Sequence, residues 1–205
     1  MRSLKFLVGC EFSGRIRDEL IALGHDALSC DLERQEKPGP FYQGDVRDLF
    51  RSERWDRAIL HPPCDHLAVS GAQWFPKKRE QIQLFSEKSL QEQAIEFFMD
   101  CINAPIPSIA VENPIGIMST LYREPNQIVD PWWFGKFGEN ESKATCLWLK
   151  NLPLLEKMDP LFEPHNTSVY LEPPGPKRKR NRSRTFRGFA YAVAIQWGGI
   201  IDGKA

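Results

Sequence analysis

An apolar run in this chain breaks at a cysteine: Ile59-Leu60-His61-Pro62-Pro63-Cys64-Asp65-His66. Two consecutive prolines fix φ and remove two backbone donors, so the run ends in a rigid turn with Cys64 just beyond it. A thiol held there suits nucleophilic attack once it loses its proton. Near neutrality an unmodified thiol is ionised only slightly, so a cation or an amide dipole is expected beside it. A second run, Ser108-Ile109-Ala110-Val111-Glu112-Asn113-Pro114, ends in a carboxylate and a proline. A thiol and a carboxylate at the exits of two buried-type strands point to one site.

The elements that position them alternate. Leu4 to Val8 reads as a buried strand, and Gly14 to Leu23 as a helix with Ile16, Leu20, Ile21 and Leu23 at apolar positions. Ala27 to Cys30 is a second strand ending at Asp31, Tyr42 to Val46 a third, and Arg57 to Leu60 a fourth. The longest helical pattern runs from about Lys78 to Asn103, with Ile82, Phe85, Ala94, Ile95, Phe98, Met99 and Ile102 on one face, and Pro105 stops it. Ile109 to Val111 is a fifth strand and Ala144 to Leu149 a sixth. Pro153 to Pro176 shows no period and is expected to be loop, after which Phe186 to Trp197 resumes helical spacing.

This alternation predicts an α/β fold with a mostly parallel, doubly wound sheet, whose ligands bind at the carboxyl ends of the strands. Polar or reactive residues stand at five successive exits: Glu11-Phe12-Ser13-Gly14, Asp31, Asp45, Cys64 and Glu112. Gly14 suits a tight turn into a helix N-terminus, and an acid such as Asp31 suits ribose hydroxyls. The plainer roles are a structural turn for Gly14, a cap or solvated acid for Asp31, and a turn residue for Asp45.

At 205 residues, with 41% hydrophobic and 26% charged, the chain is expected to form one domain. With no apolar stretch near the ~20 residues of a membrane span and no signal-peptide pattern, the expected compartment is the cytosol. Five widely spaced cysteines and four histidines argue against a disulfide framework or a metal site. Cys10, Cys30, Cys101 and Cys146 sit in apolar segments as small hydrophobes.

Net charge is zero, but seven cations and no anion fall between Lys177 and Arg187, among them Arg178, Lys179, Arg180, Arg182 and Arg184. Such a block repels itself unless a polyanion lies against it, and nucleic acid is the expected partner; a solvated basic loop is the plainer alternative. Trp74, Phe75, Trp132, Trp133 and Phe134 lie outside regular apolar stripes. They suit either stacking on an extruded base or covering the sheet.

The set resembles the DNA cytosine-5 methyltransferase family, in a small, phage-like form. The likeness is carried by Glu11-Phe12-Ser13-Gly14 with Gly24-His25-Asp26, by Gly44-Asp45-Val46, Pro62-Pro63-Cys64 and Val111-Glu112-Asn113, and by the segment from Gly188 to Trp197. The pairing of Pro-Cys with a later Glu-Asn is its specific part. It implies a Rossmann-like S-adenosylmethionine-dependent methyltransferase fold, with cofactor contacts at Glu11, Phe12, Ser13, Gly14, Asp31, Asp45 and Pro62. It also implies that Cys64 adds to carbon 6 of cytosine, that Glu112 bonds N3 and the exocyclic amine, and that DNA is the substrate, in the host cytoplasm if a phage encodes the protein.

Three departures stand out. Asp65 follows Pro-Cys where glutamine is usual, and Pro114 follows Glu-Asn where an apolar residue is usual. Ser142-Lys143-Ala144-Thr145 replaces an arginine-rich motif, so Lys143 is the expected cation near the base. A large target-recognition domain is missing, and a short basic loop, about 153 to 187, occupies its place. That predicts relaxed site preference or dependence on a homodimeric or accessory partner, because reading bases needs side chains in a groove. Two alternatives remain open: an exocyclic amino-methyltransferase using His61-Pro62-Pro63-Cys64 as its loop, and a catalytically silent nucleic-acid-binding protein.

Overall fold

The computed structural model describes residues 2–69, 88–161 and 165–199. Seven strands form one sheet in the order β3-β2-β1-β4-β5-β7-β6: β1 Lys5–Gly9, β2 Asp26–Asp31, β3 Phe41–Gln43, β4 Arg57–Leu60, β5 Ser108–Pro114, β6 Gln127–Val129 and β7 Thr145–Lys150. The first five strands pair in parallel, and β7 runs antiparallel between β5 and β6. The sheet is doubly wound and mostly parallel, as expected.

Two-residue periodicity divides the core between the faces of the sheet. Phe6, Val8, Ile59, Ala110, Leu147 and Leu149 pack on one face with Ile16, Leu20, Phe189, Val193 and Trp197. Leu7, Ala58, Leu60, Ile109, Val111 and Trp148 pack on the other with Phe98 and Cys101. Strands buried on both faces read as continuous apolar runs, which is why β1, β4 and β5 were legible.

Helix α1 (Arg15–Ala22) begins at Gly14, whose φ of 72° lies in the left-handed region that glycine adopts without a Cβ clash. Helix α2 (Leu90–Ile102) begins at Ser89, whose backbone is extended and whose side chain forms a reciprocal capping box with Glu92. The long helix expected from Lys78 is thereby shortened, and its apolar positions Ile82 and Phe85 lie outside the described residues, as do Trp74 and Phe75. Helices α3 (Arg178–Ser183) and α4 (Arg187–Val193) close the fold, the latter continuing into a π turn at Ala194–Gly198.

Two further expectations are corrected. The segment Ala144 to Leu149 is the seventh strand, because the three residues of β6 between Pro125 and Pro131 are too few to show a period. Residues 153 to 187 are not all loop, since they contain α3 and a single turn at Ser168–Leu171. Among the described residues no helix is long and apolar enough to cross a membrane.

Candidate active site

The turn after β4 sets the position of Cys64. The His61 amide donates to the Gly9 carbonyl at 2.9 Å, extending the β1–β4 ladder by one residue. Pro62 is buried, and its carbonyl accepts the side-chain amide of Asn113 at 2.7 Å. The Cys64 carbonyl then accepts the amides of Leu67 and Ala68, each at 3.0 Å, so the thiol heads a tight turn. Glu112 and Asn113 therefore divide the work: alternation along β5 buries Asn113 against the Pro-Pro turn and leaves Glu112 on the other side.

Both Glu112 oxygens are engaged. Oε2 lies 3.0 Å from His61 Nδ1, and Oε1 accepts the Thr145 hydroxyl from β7. Burial pushes the Glu112 carboxyl up, but the contact with His61, the charge of Lys143 and the Thr145 bond outweigh it and hold the carboxyl below its usual range. Glu112 is consequently an anion near neutrality.

Cys64 behaves in the opposite way. Burial, Asp65 and Glu112 push its thiol up, while Lys143 pulls it down with a weaker effect. The expected cation is thus present but outweighed, and the resting group is a protonated thiol. Cys30, Cys101 and Cys146 are buried, with Cys30 pushed up to about 12 by burial, as suits packing rather than reaction.

A cavity of about 60 Å³ opens beside these groups, lined by His61, Glu112, Lys143 and Thr145 from the strand ends and by Arg184, Thr185 and Phe186 from the α3–α4 junction. Cys64 is not in its lining. Lys143 donates to the Arg182 carbonyl at 2.7 Å and lies 5.7 Å from the Phe186 ring, so it bridges the strand ends to the basic segment.

That segment lies on the molecule's own acids. Lys179 pairs with Asp65 at 2.6 Å, Arg180 with Glu33 at 2.7 Å, and Arg184 with Glu36 at 2.5 Å. Arg180 also sits 4.2 Å over the Phe12 ring. Arg178 donates to the Tyr170 carbonyl at 3.4 Å, and Lys177 is exposed. The polyanion expected against the basic run is supplied in part from within, by loops after β2 and β4 that are distant in sequence. Fully buried Arg17 holds the β2 loop through Asp18, Ser29 and the carbonyl of Pro38.

At the first strand exit Glu11 serves the turn itself. Its carboxylate accepts the amides of Ser13 and Gly14 at 2.9 Å each, the Ser13 hydroxyl, and the Thr185 hydroxyl at 3.3 Å. Those amides are the ones a phosphate would need at a helix N-terminus. The occupied turn therefore disfavours a pyrophosphate-bearing dinucleotide, yet it suits S-adenosylmethionine, which has no phosphate. Asp31 fits the ribose position: burial pushes its carboxyl up, and it accepts the Glu33 amide at 2.8 Å. Leu32 next to it is 72% exposed. Asp45 fits less well, because it caps the turn at Val46–Leu49 and pairs with Arg47 at 2.6 Å, which holds it below its usual range.

The aromatic residues favour the covering role. Phe134 is buried against Phe189, and Trp132 stacks on His165 with centroids 4.5 Å apart. The sequence reading missed Thr145 as a partner of Glu112 and the acids that hold α3.

No protein-family model matches the chain, and no curated protein is significantly similar to it. Solved structures similar to it include one described as a DNA modification methyltransferase encoded within an E. coli prophage, 14% identical over 84% of this chain and 56% of that one, with a TM-score of 0.41. An Entamoeba histolytica methyltransferase, EhMeth, is 11% identical over 85% and 61%, with a TM-score of 0.47. A Spodoptera frugiperda DNMT2 variant is 12% identical over 80% and 56%, with a TM-score of 0.39. The chain spans 56% to 61% of the length of these structures.

Proposed function

We propose that this chain is a DNA cytosine-5 methyltransferase in which Cys64 adds to the ring and Glu112 holds its Watson–Crick edge. The bond from Asn113 to the Pro62 carbonyl carries the reading, because it ties the Pro-Pro-Cys turn to the strand that presents Glu112. A nucleophile and a carboxylate act on one pyrimidine only if their backbones hold a fixed separation, and that bond fixes it.

S-adenosylmethionine supplies an electrophilic methyl group when bound, and Asp31, Leu32, Phe12 and Gly14 are the residues that would hold it. As an anion, Glu112 accepts hydrogen bonds from the exocyclic amine and from N3 once that nitrogen is protonated. Cys64 attacks carbon 6 only as a thiolate, so a proton must first leave its raised-pKa thiol. Lys143, at the start of β7, supports both negative charges.

The basic segment from Lys177 to Arg184 replaces a recognition domain within a single methyltransferase domain, 1–205, and contacts DNA phosphates without reading bases. To do so it exchanges Asp65, Glu33 and Glu36 for phosphate oxygens. An exocyclic amino-methyltransferase would leave the Glu112 arrangement without a use. A second copy or an accessory protein would supply the missing sequence preference, in the cytoplasm, that of the host cell if a phage encodes the protein.

The test is incubation with S-adenosylmethionine and DNA containing 5-fluorocytosine, which cannot lose a proton from carbon 5. A protein–DNA adduct at Cys64, absent from Cys64→Ser, is the expected result. Methyl transfer that survives Cys64→Ser would establish the amino-methyltransferase alternative, and no adduct or transfer on any DNA would leave a binding protein.

A further inference from the structure

His61 stands three residues before Cys64 and, apart from its contact with Glu112, has no role in the chemistry assigned to Cys64, Glu112 and Lys143. Its Nδ1 lies 3.0 Å from Glu112 Oε2, and its side chain is 13% exposed. Its other ring nitrogen, Nε2, is buried and has no hydrogen-bond partner among the described residues. A buried polar nitrogen left unpaired costs stability, so it requires an explanation. His61 also lines the cavity that Glu112 and Lys143 share.

The tautomer is set by the charge of its neighbour. With Glu112 held as an anion, the ring nitrogen donates and the carboxylate accepts, and Nδ1 carries the proton. In the neutral ring Nε2 is then left with its lone pair, as when a carboxylate orients a catalytic histidine. The other polar groups of the cavity offer no equivalent base. Glu112 has both oxygens engaged, Lys143 and Arg184 are cationic donors, and Thr145, Ser183 and Thr185 are hydroxyls.

We propose that His61 Nε2 is the base that removes the carbon 5 proton; the assignment rests on the cytosine-5 reading of the site. Addition of the Cys64 thiolate to carbon 6 breaks the carbon 5–carbon 6 double bond, and N3 takes from solvent a proton that matches the one lost by the thiol. Once carbon 5 has taken the methyl group, the donor's methyl–sulfur bond breaking to leave a neutral thioether, it still holds its hydrogen. Nε2 takes that hydrogen as a proton, and the carbon–hydrogen electron pair restores the double bond. The carbon–sulfur pair returns to Cys64 as thiolate, and N3 gives back its proton. His61 then releases its proton to solvent.

The experiment compares His61→Asn with the unsubstituted protein on two DNAs, each with S-adenosylmethionine. Asparagine keeps an N–H for Glu112 but has no counterpart of Nε2. On 5-fluorocytosine DNA both proteins should form the Cys64 adduct at rates within about threefold, because the proton step is not reached. On ordinary cytosine DNA, His61→Asn should turn over about a hundredfold or more slowly, within the range for loss of a general base. It should also accumulate a protein–DNA adduct one methyl group heavier than the simple addition product.

Turnover of His61→Asn within about threefold would overturn the assignment. So would joint loss of turnover and of the 5-fluorocytosine adduct by a variant with unchanged thermal unfolding, which would make His61 a support for Glu112. His61→Gln serves as the second variant if His61→Asn unfolds early, with the same adduct expected. No adduct from the unsubstituted protein on 5-fluorocytosine DNA would instead sink the cytosine-5 reading itself.

Discussion

Arg184 grips Glu36 with two nitrogens, Nε on Oε2 at 2.8 Å and Nη2 on Oε1 at 2.5 Å, across 148 residues of sequence. With Arg180–Glu33 and Lys179–Asp65, this pair lays α3 over strand ends that also carry Phe12 and Cys64. The acids that dock α3 are thus competitors of the phosphates it is proposed to bind. Partly exposed pairs are each worth at most about 1 kcal/mol, so the docked position is held weakly and salt should loosen it.

The double variant Glu33→Gln with Glu36→Gln should therefore free α3. Tryptic cleavage within 177–187 should rise by roughly tenfold, as expected when about 1 to 2 kcal/mol of docking is removed. DNA binding should tighten, with no change in the thermal unfolding of the sheet. Arg184 holds Glu36 below the usual carboxylate range. Docking by this pair is fully present above that range and is lost as pH falls through the depressed value, so protease sensitivity should rise on acidification. Cleavage rates indifferent to both the substitutions and salt would show that the pairs do not hold α3.

Asn113→Ala should damage catalysis out of proportion to stability. It leaves the buried Pro62 carbonyl without its partner, a cost of about 1 to 3 kcal/mol in unfolding free energy by denaturant titration. The rate of 5-fluorocytosine adduct formation should fall by about tenfold or more, because the Pro-Pro-Cys turn loses its tie to β5. An adduct rate equal to that of the unsubstituted protein would deny the bond its positioning role.

Legibility in the sequence divides along physical lines. β1, β4 and β5 are buried on both faces, so their apolar runs and the polar residues at their exits were legible without coordinates. That Cys64 and Glu112 follow or end neighbouring strands was legible because both stand where such strands stop. β6 was not, since three residues show no period. The acids facing α3 were hidden because charge pairs between distant loops leave no local pattern. Asp45 and Glu11 were read as ligand contacts, and the structure shows that they also hold Arg47 and the amides of their own turn. A polar residue at a strand exit is as well suited to bracing the turn as to meeting a ligand.

Cys64 sets the alkaline side of the pH profile. Burial, Asp65 and Glu112 raise its pKa above the ordinary thiol value, so the thiolate is scarcer near neutrality than in a free cysteine. Adduct formation on 5-fluorocytosine DNA should climb about tenfold per pH unit from neutrality and level off only above the ordinary thiol range. Asp65→Asn removes one of the raising charges and should shift the plateau to lower pH. A plateau already reached below pH ~7 would mean that the thiolate is stabilised by something other than Lys143.

Thr145→Val tests the acidic side. The Thr145 hydroxyl donates to Glu112 Oε1 and helps hold that carboxyl below its usual range, together with His61 and Lys143. Glu112 is proposed to work as an anion, so activity should be present above its depressed pKa and fall as pH drops through it. Valine keeps the shape of threonine but cannot donate, and the Glu112 pKa should rise. The acidic limb of kcat/KM should move to higher pH. Activity well above that limb should change little, because Glu112 is ionised there in both proteins. A limb that stays in place would mean that a group other than Glu112 governs the acidic loss.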